Sequence, residues 1–166
     1  MLRTSILRHE PGREGPPPHF DWLLEADPET PDEARAVPTF RLRRRPDRLG
    51  IGESTELERI EDHRGIWLER PERRTVELNP PLGTATPIRI GEIRRSVGRN
   101  DRGMESTVRW SQSTVSMTYR FEPIAANHLR LTRVAGSASE ALGGAWSTRD
   151  LGDDARTQSI LGTALR

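Results

Sequence analysis

The sequence predicts a mainly β domain, built as a compact antiparallel β-barrel with short peripheral helices. The clearest observation is an alternation of apolar and polar residues along 115–121 and again along 129–132, which is typical of half-buried strands. The apolar positions are Val115, Met117, Tyr119 and Phe121, followed by Leu129 and Leu131. The second observation is a series of other short segments with strand-like composition, separated by Pro, Gly and acidic residues. Many short antiparallel strands hide their edges by closing into a barrel.

The first part of the chain alternates short strands with polar loops. Residues 4–8 predict a strand that leads into His9, and the bulky residues of 19–25 suit a second, half-buried strand. The Pro- and Gly-rich composition of residues 10–18 predicts a loop between them. Residues 27–38, rich in Pro and acidic residues, predict another loop, and residues 39–42 a third strand.

The middle of the chain carries weaker periodic signals. Within residues 53–62, Leu57 and Ile60 have helical spacing, which predicts a short helix. Strands are predicted at 64–69, 75–78 and 87–90, and a turn at 100–103.

The alternating segments near residue 120 predict an antiparallel hairpin. Residues 122–127 contain Pro123 and Asn127 and are expected to form its longer loop. The composition changes after Val134, where Gly, Ser, Ala, Thr and Asp become common. We therefore expect a β-barrel domain over residues 1–135 and a flexible or loosely docked tail over residues 136–166.

The composition excludes several kinds of chemistry. The chain has no cysteine, so disulfides, thiolate metal sites and a cysteine nucleophile are all excluded. Any metal must therefore be held by nitrogen and oxygen ligands. No run of about 18 apolar residues is present, so no transmembrane helix is predicted. The apolar stretch near Met1 is too short for a signal peptide, which makes the cytoplasm the expected location.

The basic residues are unusual in kind rather than in number. All 26 of them are arginine, although the formal net charge is only +1. A GC-rich genome explains this choice most simply. Arginine is also the better phosphate ligand, because its planar fork donates two parallel hydrogen bonds. The net charge thus does not predict nucleic-acid binding, but a local cluster such as Arg43-Arg44-Arg45 could provide it.

Histidines supply the candidate chemistry. Three of the four, His9, His19 and His63, fall within the first 63 residues. On a strand, His19 and Asp21 would project from the same face, because side chains alternate with a period of two. Three imidazoles and one carboxylate would suit Mn, Co, Zn or Fe(II). A His-x-Asp spacing alone is more often a surface hydrogen bond than a metal site, and His128, in the predicted hairpin, is expected to be a surface histidine.

Three short segments together resemble a known family. They are Ser5-Ile6-Leu7-Arg8-His9, His19-Phe20-Asp21-Trp22-Leu23-Leu24-Glu25 and Ile60-Glu61-Asp62-His63. Their order resembles that of the R-H, H-[YF]-D-x-x-L-E and E-D-H elements of the 3'-phosphoesterase domain of bacterial DNA ligase D, which also has small free-standing relatives. The resemblance spans roughly residues 3–134, and the combination of motifs carries it.

The resemblance implies a fold, an activity and a set of roles. The family fold is a compact β-barrel with peripheral helices, and its activity is metal-dependent repair of nucleic-acid 3' ends. The family removes a terminal ribonucleoside and then the 3'-phosphate, usually with manganese. The resemblance therefore implies Mn for this chain, with Zn or Co as alternatives. By match, His9, His19 and Asp21 are metal ligands, while His63 contacts the scissile phosphate. Glu61 joins His9 and His63 as a catalytic residue, and Asp62 accompanies it.

The resemblance also implies partners, and it shows departures. The expected partners are DNA or RNA-tailed DNA 3' ends, with a DNA ligase or polymerase acting in trans. Leu23 stands where the family has a phosphate-binding arginine. We expect Arg44, with Arg43, to compensate from the next strand. The family's Gly-rich stretch after the E-D-H element is not found. Trp67 stands where an aromatic residue is usual and, like Trp22 and Trp110, is expected in the core.

Two other interpretations remain open at this point. A non-catalytic relative would keep the barrel and bind nucleic-acid ends or a repair partner, as the Leu23 departure suggests. A plain β-barrel interaction module would hold no metal at all. Metal content separates the second from the others, and turnover on 3'-modified ends separates the first.

Overall fold

A closed, eight-stranded antiparallel β-barrel organises the chain. The computed structural model describes residues 1–12, 14–99 and 103–134. Around the barrel the strands follow the order β1-β2-β3-β4-β9-β8-β7-β6, and β6 pairs with β1 to close it, while β5 extends the edge of β6. The strands are β1 (Leu2–Glu10), β2 (His19–Leu24), β3 (Arg35–Leu42), β4 (Ser54–Arg64), β5 (Val76–Glu77), β6 (Thr84–Arg99), β7 (Gly103–Trp110), β8 (Ser116–Ala125) and β9 (His128–Val134).

Aromatic side chains fill the inside of the barrel. The ring of Trp22 lies 5.6 Å from that of Phe121, 5.4 Å from that of Tyr119 and 6.1 Å from that of Trp110. Large apolar rings in offset or edge contact contribute both buried area and favourable geometry. A lumen packed in this way holds the strands together. The buried members of this inner cluster are Leu2, Ile6, Trp22, Leu24, Phe40, Leu42, Leu49, Leu57, Ile93, Val108, Trp110, Tyr119, Phe121, Leu129 and Leu131.

A second, smaller cluster lies on the outer face of β1, β2 and β3. The register pairs Ile6 with Trp22, both in the inner cluster, so the neighbouring pair Leu7 and Asp21 faces outward. A short helix, α1 (Ile66–Glu69), follows β4 and covers part of this outward face. The outer cluster consists of Leu7, Leu23, Val37 and Leu68, with the partly buried Trp67 packed against it. Outward-facing side chains of β1 and β2 are thereby buried.

The predicted β-barrel is confirmed, and so are most of the predicted strands. The strands expected at 4–8 and 19–25 correspond to β1 and β2, and the alternating segments correspond to β8 and β9. The third strand is longer than predicted, because β3 already begins at Arg35, inside the loop expected over 27–38. The strand expected at 75–78 is the two-residue β5, and that at 87–90 lies within the long β6.

Three local predictions are wrong. Residues 53–62 form β4 rather than a helix. Leu57 and Arg59 point inward, and the guanidinium of Arg59 lies 5.5 Å from the ring of Phe40. With so few apolar residues, helical and strand periods cannot be separated, and pairing with β3 and β9 decides the outcome. The loop over 122–127 is also shorter than predicted, since Ala125 pairs with His128 across a two-residue turn.

The third error concerns residues 64–69, which were expected to form a strand. β4 ends at Arg64, and the helix α1 follows. The backbone N–H of Ile66 donates to the carbonyl of Asp32 at 2.8 Å, so this segment bonds to a loop instead of to a neighbouring strand. The helical turn places Leu68 on the outer cluster, so tertiary packing overrides the β propensity of the local residues.

Two predictions concern parts of the chain outside the described residues. The turn at 100–103 falls there except for Gly103, which begins β7, and so does the tail predicted for 136–166. Within the described ranges, no helix is long and apolar enough to cross a membrane.

Candidate metal site

The pairing of β1 with β2 brings two histidines face to face. His9, near the end of β1, lies directly opposite His19, the first residue of β2. Their rings stack with centroids 5.0 Å apart and an interplanar angle of 8°. Asp21 follows two residues after His19 and therefore projects from the same outer face. The prediction that His19 and Asp21 share a face is confirmed. The register of β1 against β2 places His9 beside them.

The carboxylate of Asp21 lies at the centre of the group. Its Oδ2 atom is 3.1 Å from Nε2 of His9 and 3.4 Å from Nε2 of His63. Its Oδ1 atom is 3.7 Å from Nε2 of His19 and 3.6 Å from Nε of Arg41. One ligand atom each of His9, His19 and Asp21 lies within 4.8 Å of the others, close enough for one ion to be held between them. His63 reaches the group from β4, where it pairs with Val37 of β3.

Backbone carbonyls orient two of the imidazoles. Nδ1 of His19 donates to the carbonyl oxygen of Pro17 at 2.8 Å, and Nδ1 of His63 donates to that of Glu61 at 3.3 Å. A carbonyl only accepts, so the proton is assigned to Nδ1, and in the neutral ring Nε2 keeps its lone pair. A metal-binding histidine is usually held in this way by a carbonyl or carboxylate on its other nitrogen. The Pro-rich loop before β2 therefore orients the His19 ring in a way that would suit a metal ligand.

Two atoms of the cluster are buried without a hydrogen-bond partner. They are Nε2 of His9 and Oδ1 of Asp21, and among the described residues no other imidazole or carboxylate atom is in this state. Although His9 Nε2 is close to Asp21 Oδ2, the ring orientation does not form a hydrogen bond. A buried polar atom without a partner costs roughly 1–3 kcal/mol. A metal ion bound to both atoms would remove this cost, so the donor set fits an N- and O-liganded metal.

The protonation states also favour metal binding. Burial alone would raise the pKa of Asp21, but the imidazoles of His63 and His9 outweigh burial and hold the pKa of this carboxyl well below its usual range. Burial lowers the pKa of His19, with partial compensation from the Pro17 carbonyl. At neutral pH the cluster thus presents a carboxylate and a neutral His19 imidazole, the forms that bind a cation.

Other predicted site residues lie in different surroundings. The side chain of Glu61 is 95% exposed, and a carboxylate oxygen lies 3.9 Å from Arg35. Arg44 forms a 2.9 Å ion pair with Glu53, and Arg43 is exposed. The side-chain contacts of Glu61 and Arg44 are thus with residues outside the cluster, whereas the His63 side chain joins it. The structure brings together His9, His19, Asp21 and His63.

Arg41 is the site residue that the sequence did not reveal. It lies directly opposite Asp21 in the pairing of β2 with β3. To find Arg41 from the sequence, one would need to know the register of β2 against β3. A loop of ten residues joins these strands, and its length does not fix their register. The one signal was its place two residues before the basic run at 43–45, in the predicted third strand.

The departures from the family pattern have structural correlates. Leu23 is fully buried in the outer cluster, so its side chain does not face solvent. Trp67 is only partly buried, and the guanidinium of Arg70 lies 4.9 Å from the centre of one of its rings. Trp22 and Trp110 are buried in the inner cluster, as predicted, and His128 is exposed, also as predicted.

Comparison with known proteins gives no family assignment. Neither the known protein-family models nor the curated proteins include a match to this chain. The fold and the site by themselves define a β-barrel with a candidate metal site on its outer face.

Proposed function

We propose that this protein is a metal-dependent phosphoesterase that processes nucleic-acid 3' ends, removing a 3'-ribonucleoside or a 3'-phosphate. The observation that carries the proposal is the convergence of His9, His19, Asp21 and His63 on the outer face of the barrel. These are the residues to which the resemblance to the ligase D phosphoesterase domain gives functional roles. The motifs lie on three different strands, so their order in the sequence does not by itself require them to meet.

The four residues would have two different roles, metal binding and contact with the phosphoryl group. His9, His19 and Asp21 would hold the metal, preferably Mn, with Zn or Co as alternatives for this nitrogen and oxygen donor set. When bound, a divalent metal polarises a phosphoryl oxygen and lowers the pKa of water. His63 directs Nε2 toward the cluster while Nδ1 remains on the Glu61 carbonyl. With Nδ1 on that carbonyl, a hydrogen bond to the transferring phosphoryl group or a proton for the leaving oxygen would come from a second proton on Nε2, in the doubly protonated ring.

The location of the site supports a polymer end as the substrate. The inside of the barrel is packed with aromatic and aliphatic side chains, and the cluster lies on the outer face. Arg41 and His63 are its more exposed side chains, at 37% and 21%, so the terminus of a nucleic-acid strand could approach the site from their side without entering the barrel. Site and resemblance together therefore favour DNA or RNA-tailed DNA 3' ends, in a repair or end-joining context with a ligase or polymerase in trans.

The direct test uses a DNA primer that carries a 3'-phosphate. Wild-type protein loaded with Mn(II) is expected to release inorganic phosphate, whereas His19→Ala is expected to release none. His128→Ala is the matched control, because it removes an exposed histidine that lies three strands from Asp21 and outside the cluster. A primer with one 3'-ribonucleotide tests the diesterase step. The proposal fails if wild type leaves both primers intact, or if His19→Ala cleaves as fast as His128→Ala.

A non-catalytic relative is the second candidate, favoured by the burial of Leu23 where the family has its arginine. Such a protein would bind metal at the same cluster and would bind 3' ends without turnover. Stoichiometric metal with no cleavage of either primer would support this candidate. Substoichiometric transition metal after purification without chelators would instead support a plain interaction module.

A further inference from the structure

The burial of Leu23 leaves the proposed site without the phosphate donor that the resemblance predicts. We propose that Arg41 takes over this role from a different strand. Its guanidinium would bind phosphoryl oxygens beside the metal, in a subsite between Arg41 and His63. This inference rests on the proposed function, because it specifies how the same site recognises its substrate.

Arg41 and His63 approach different oxygens of the Asp21 carboxylate. Arg41 lies nearer to Oδ1, and His63 lies nearer to Oδ2. They come from adjacent strands, β3 and β4, and both project from the outer face. A phosphoryl group bound next to an ion at Asp21 would therefore have both donors close by. Leu23 lies two residues further along β2 on the same face, where it packs in the outer cluster with Leu68 of α1.

The ion pair between the Arg41 guanidinium and Asp21 is a long one, without a hydrogen bond from Nε. The Nε atom of Arg41 is 3.6 Å from Asp21 Oδ1, too far for a hydrogen bond, and it is buried without a partner among the described residues. Arg3 and Arg45 are bound differently, whereas Nε of Arg89 is likewise unpaired, 3.8 Å from Asp47. Nε of Arg3 lies 3.0 Å from the buried carboxylate of Glu25, and Nε of Arg45 lies 2.9 Å from Asp47. Arg41 therefore retains donors for a ligand.

Exposure and charge both suit an anion. The Arg41 side chain is 37% exposed although its Nε is buried, so the stem is anchored while part of the side chain reaches solvent. With a divalent ion present, the single carboxylate of Asp21 does not neutralise the ion and Arg41 together. Glu58, opposite Arg41 on β4, is exposed and can turn into solvent. A planar fork beside a cation binds a phosphate dianion through paired, charge-assisted hydrogen bonds.

A rival role for Arg41 is that of a counter-ion that stabilises Asp21 and nothing more. The two roles make opposite predictions for Arg41→Gln. A counter-ion competes with the metal, so its loss would change metal affinity and leave phosphate affinity unaltered. A phosphate ligand contributes after the metal is bound, so its loss would weaken phosphate binding to the metal-loaded protein.

The experiment measures binding of inorganic phosphate to the Mn(II)-loaded full chain, from the paramagnetic broadening of the phosphorus NMR signal. Mn(II) affinity is measured separately by calorimetry. The variants are Arg41→Gln, Arg41→Lys, Arg44→Gln and, as matched control, Arg109→Gln. Arg109 has similar exposure and an ion pair with Glu92 on the outer face of β7. Thermal unfolding of each variant shows whether it is folded.

We expect Arg41→Gln to weaken phosphate binding about 10- to 100-fold, the effect of losing one or two charge-assisted hydrogen bonds. Arg41→Lys should fall between it and wild type, because a point charge remains without the fork. Arg109→Gln and Arg44→Gln should bind as wild type does. Phosphate affinity of Arg41→Gln within twofold of wild type would overturn the inference. So would a loss confined to Arg44→Gln, or one explained by weaker Mn(II) binding.

The outcomes for this inference and for the proposed function can be told apart. If wild type cleaves 3'-phosphate primers and Arg41→Gln cleaves and binds phosphate equally well, the function stands and the inference fails. If wild type cleaves nothing, yet phosphate binding depends on Arg41, the inference stands as anion recognition and the enzymatic function fails.

Discussion

The two faces of strand β2 differ in whether the polar atoms near them have hydrogen-bond partners. The inner face presents Phe20, Trp22 and Leu24 to the barrel core, and the outer face presents His19, Asp21 and Leu23. Both faces are buried, but for different reasons. The inner face is buried because the barrel closes around it, whereas the outer face is covered locally by α1 and the neighbouring loops.

The indole and hydroxyl groups that meet inside the barrel have partners, whereas Nε of the inward-facing Arg59 has none. The indole N–H of Trp22 donates to Oγ1 of Thr4 at 2.8 Å, which in turn donates to the carbonyl of Leu23 at 2.6 Å. The indole of Trp110 donates to the hydroxyl of Tyr119, which donates to the carbonyl of Pro46 at 3.1 Å.

The outer face leaves His9 Nε2, Asp21 Oδ1 and Arg41 Nε unpaired. Among the described residues, an unpaired imidazole nitrogen and an unpaired carboxylate oxygen occur together at this cluster alone, and such a pair suits a bound cation. The contrast therefore separates the part of the sequence that makes the barrel from the part that would bind a ligand.

The largest expected effect is on the inner face. Trp22→Ala removes a fully buried ring that contacts Tyr119, Trp110 and Phe121, and should lower the free energy of unfolding by about 3–5 kcal/mol. Trp67→Ala, in the partly exposed ring of the outer cluster, is the matched control and should cost clearly less. Urea unfolding of both variants measures the difference. Equal losses would mean that the two faces do not differ in packing.

The second prediction concerns Leu23, the outward-facing residue that does not belong to the metal cluster. Leu23→Arg, which recreates the residue type of the resembling family, should destabilise the protein by about 3 kcal/mol or more, because it buries a charge without a partner. It should not tighten phosphate binding. Leu23→Met keeps volume and polarity and should cost less than about 1.5 kcal/mol. A stable Leu23→Arg variant with improved phosphate affinity would contradict the burial of this position.

The third prediction concerns the stability that Mn(II) binding at the outer face adds to the folded protein. Mn(II) at a hundred times its dissociation constant should stabilise wild type by about 2.7 kcal/mol, since it binds only the folded state. The measurement is urea unfolding with and without Mn(II). His19→Ala should lose this stabilisation, whereas Trp22→Ala, if folded, and His128→Ala should keep it. The same stabilisation in His19→Ala would place the metal elsewhere.

The smallest effect concerns the pH response of the inner face. Burial raises the pKa of Tyr119 above its ordinary value of about 10, with a smaller opposing effect of the Trp110 hydrogen bond. The folded state thus keeps the proton longer than the unfolded state. The stability that this provides is fully present below about pH 10 and is lost as the pH rises above it.

Tyr119 is the one tyrosine of the chain, so tyrosinate absorbance reports on it alone. The folded protein should show no tyrosinate through pH of about 10, and addition of denaturant at the same pH should reveal it. Tyrosinate that appears equally in both states would show that the hydroxyl is not buried.

The local sequence pattern predicted the strands in which apolar and polar residues alternate over many positions. It failed where only two apolar residues define the pattern. The alternation from Met117 to Phe121 identified β8, and the bulky run after His19 identified β2. The spacing of Leu57 and Ile60 indicated a helix where β4 forms, because two apolar residues fit either period. His19 and Asp21 were placed together by a rule of strand geometry, which needs no knowledge of the rest of the chain.

By itself, the sequence determined the fold class, the nitrogen and oxygen character of any metal site, and the residues His9, His19, Asp21 and His63 as its candidates. Only the tertiary structure decided that these four meet, that Arg41 joins them and that Leu23 does not. The physical reason is strand register. The face on which a side chain lies follows from its own strand, but its neighbours across the sheet depend on how separate strands pair, which no local pattern encodes.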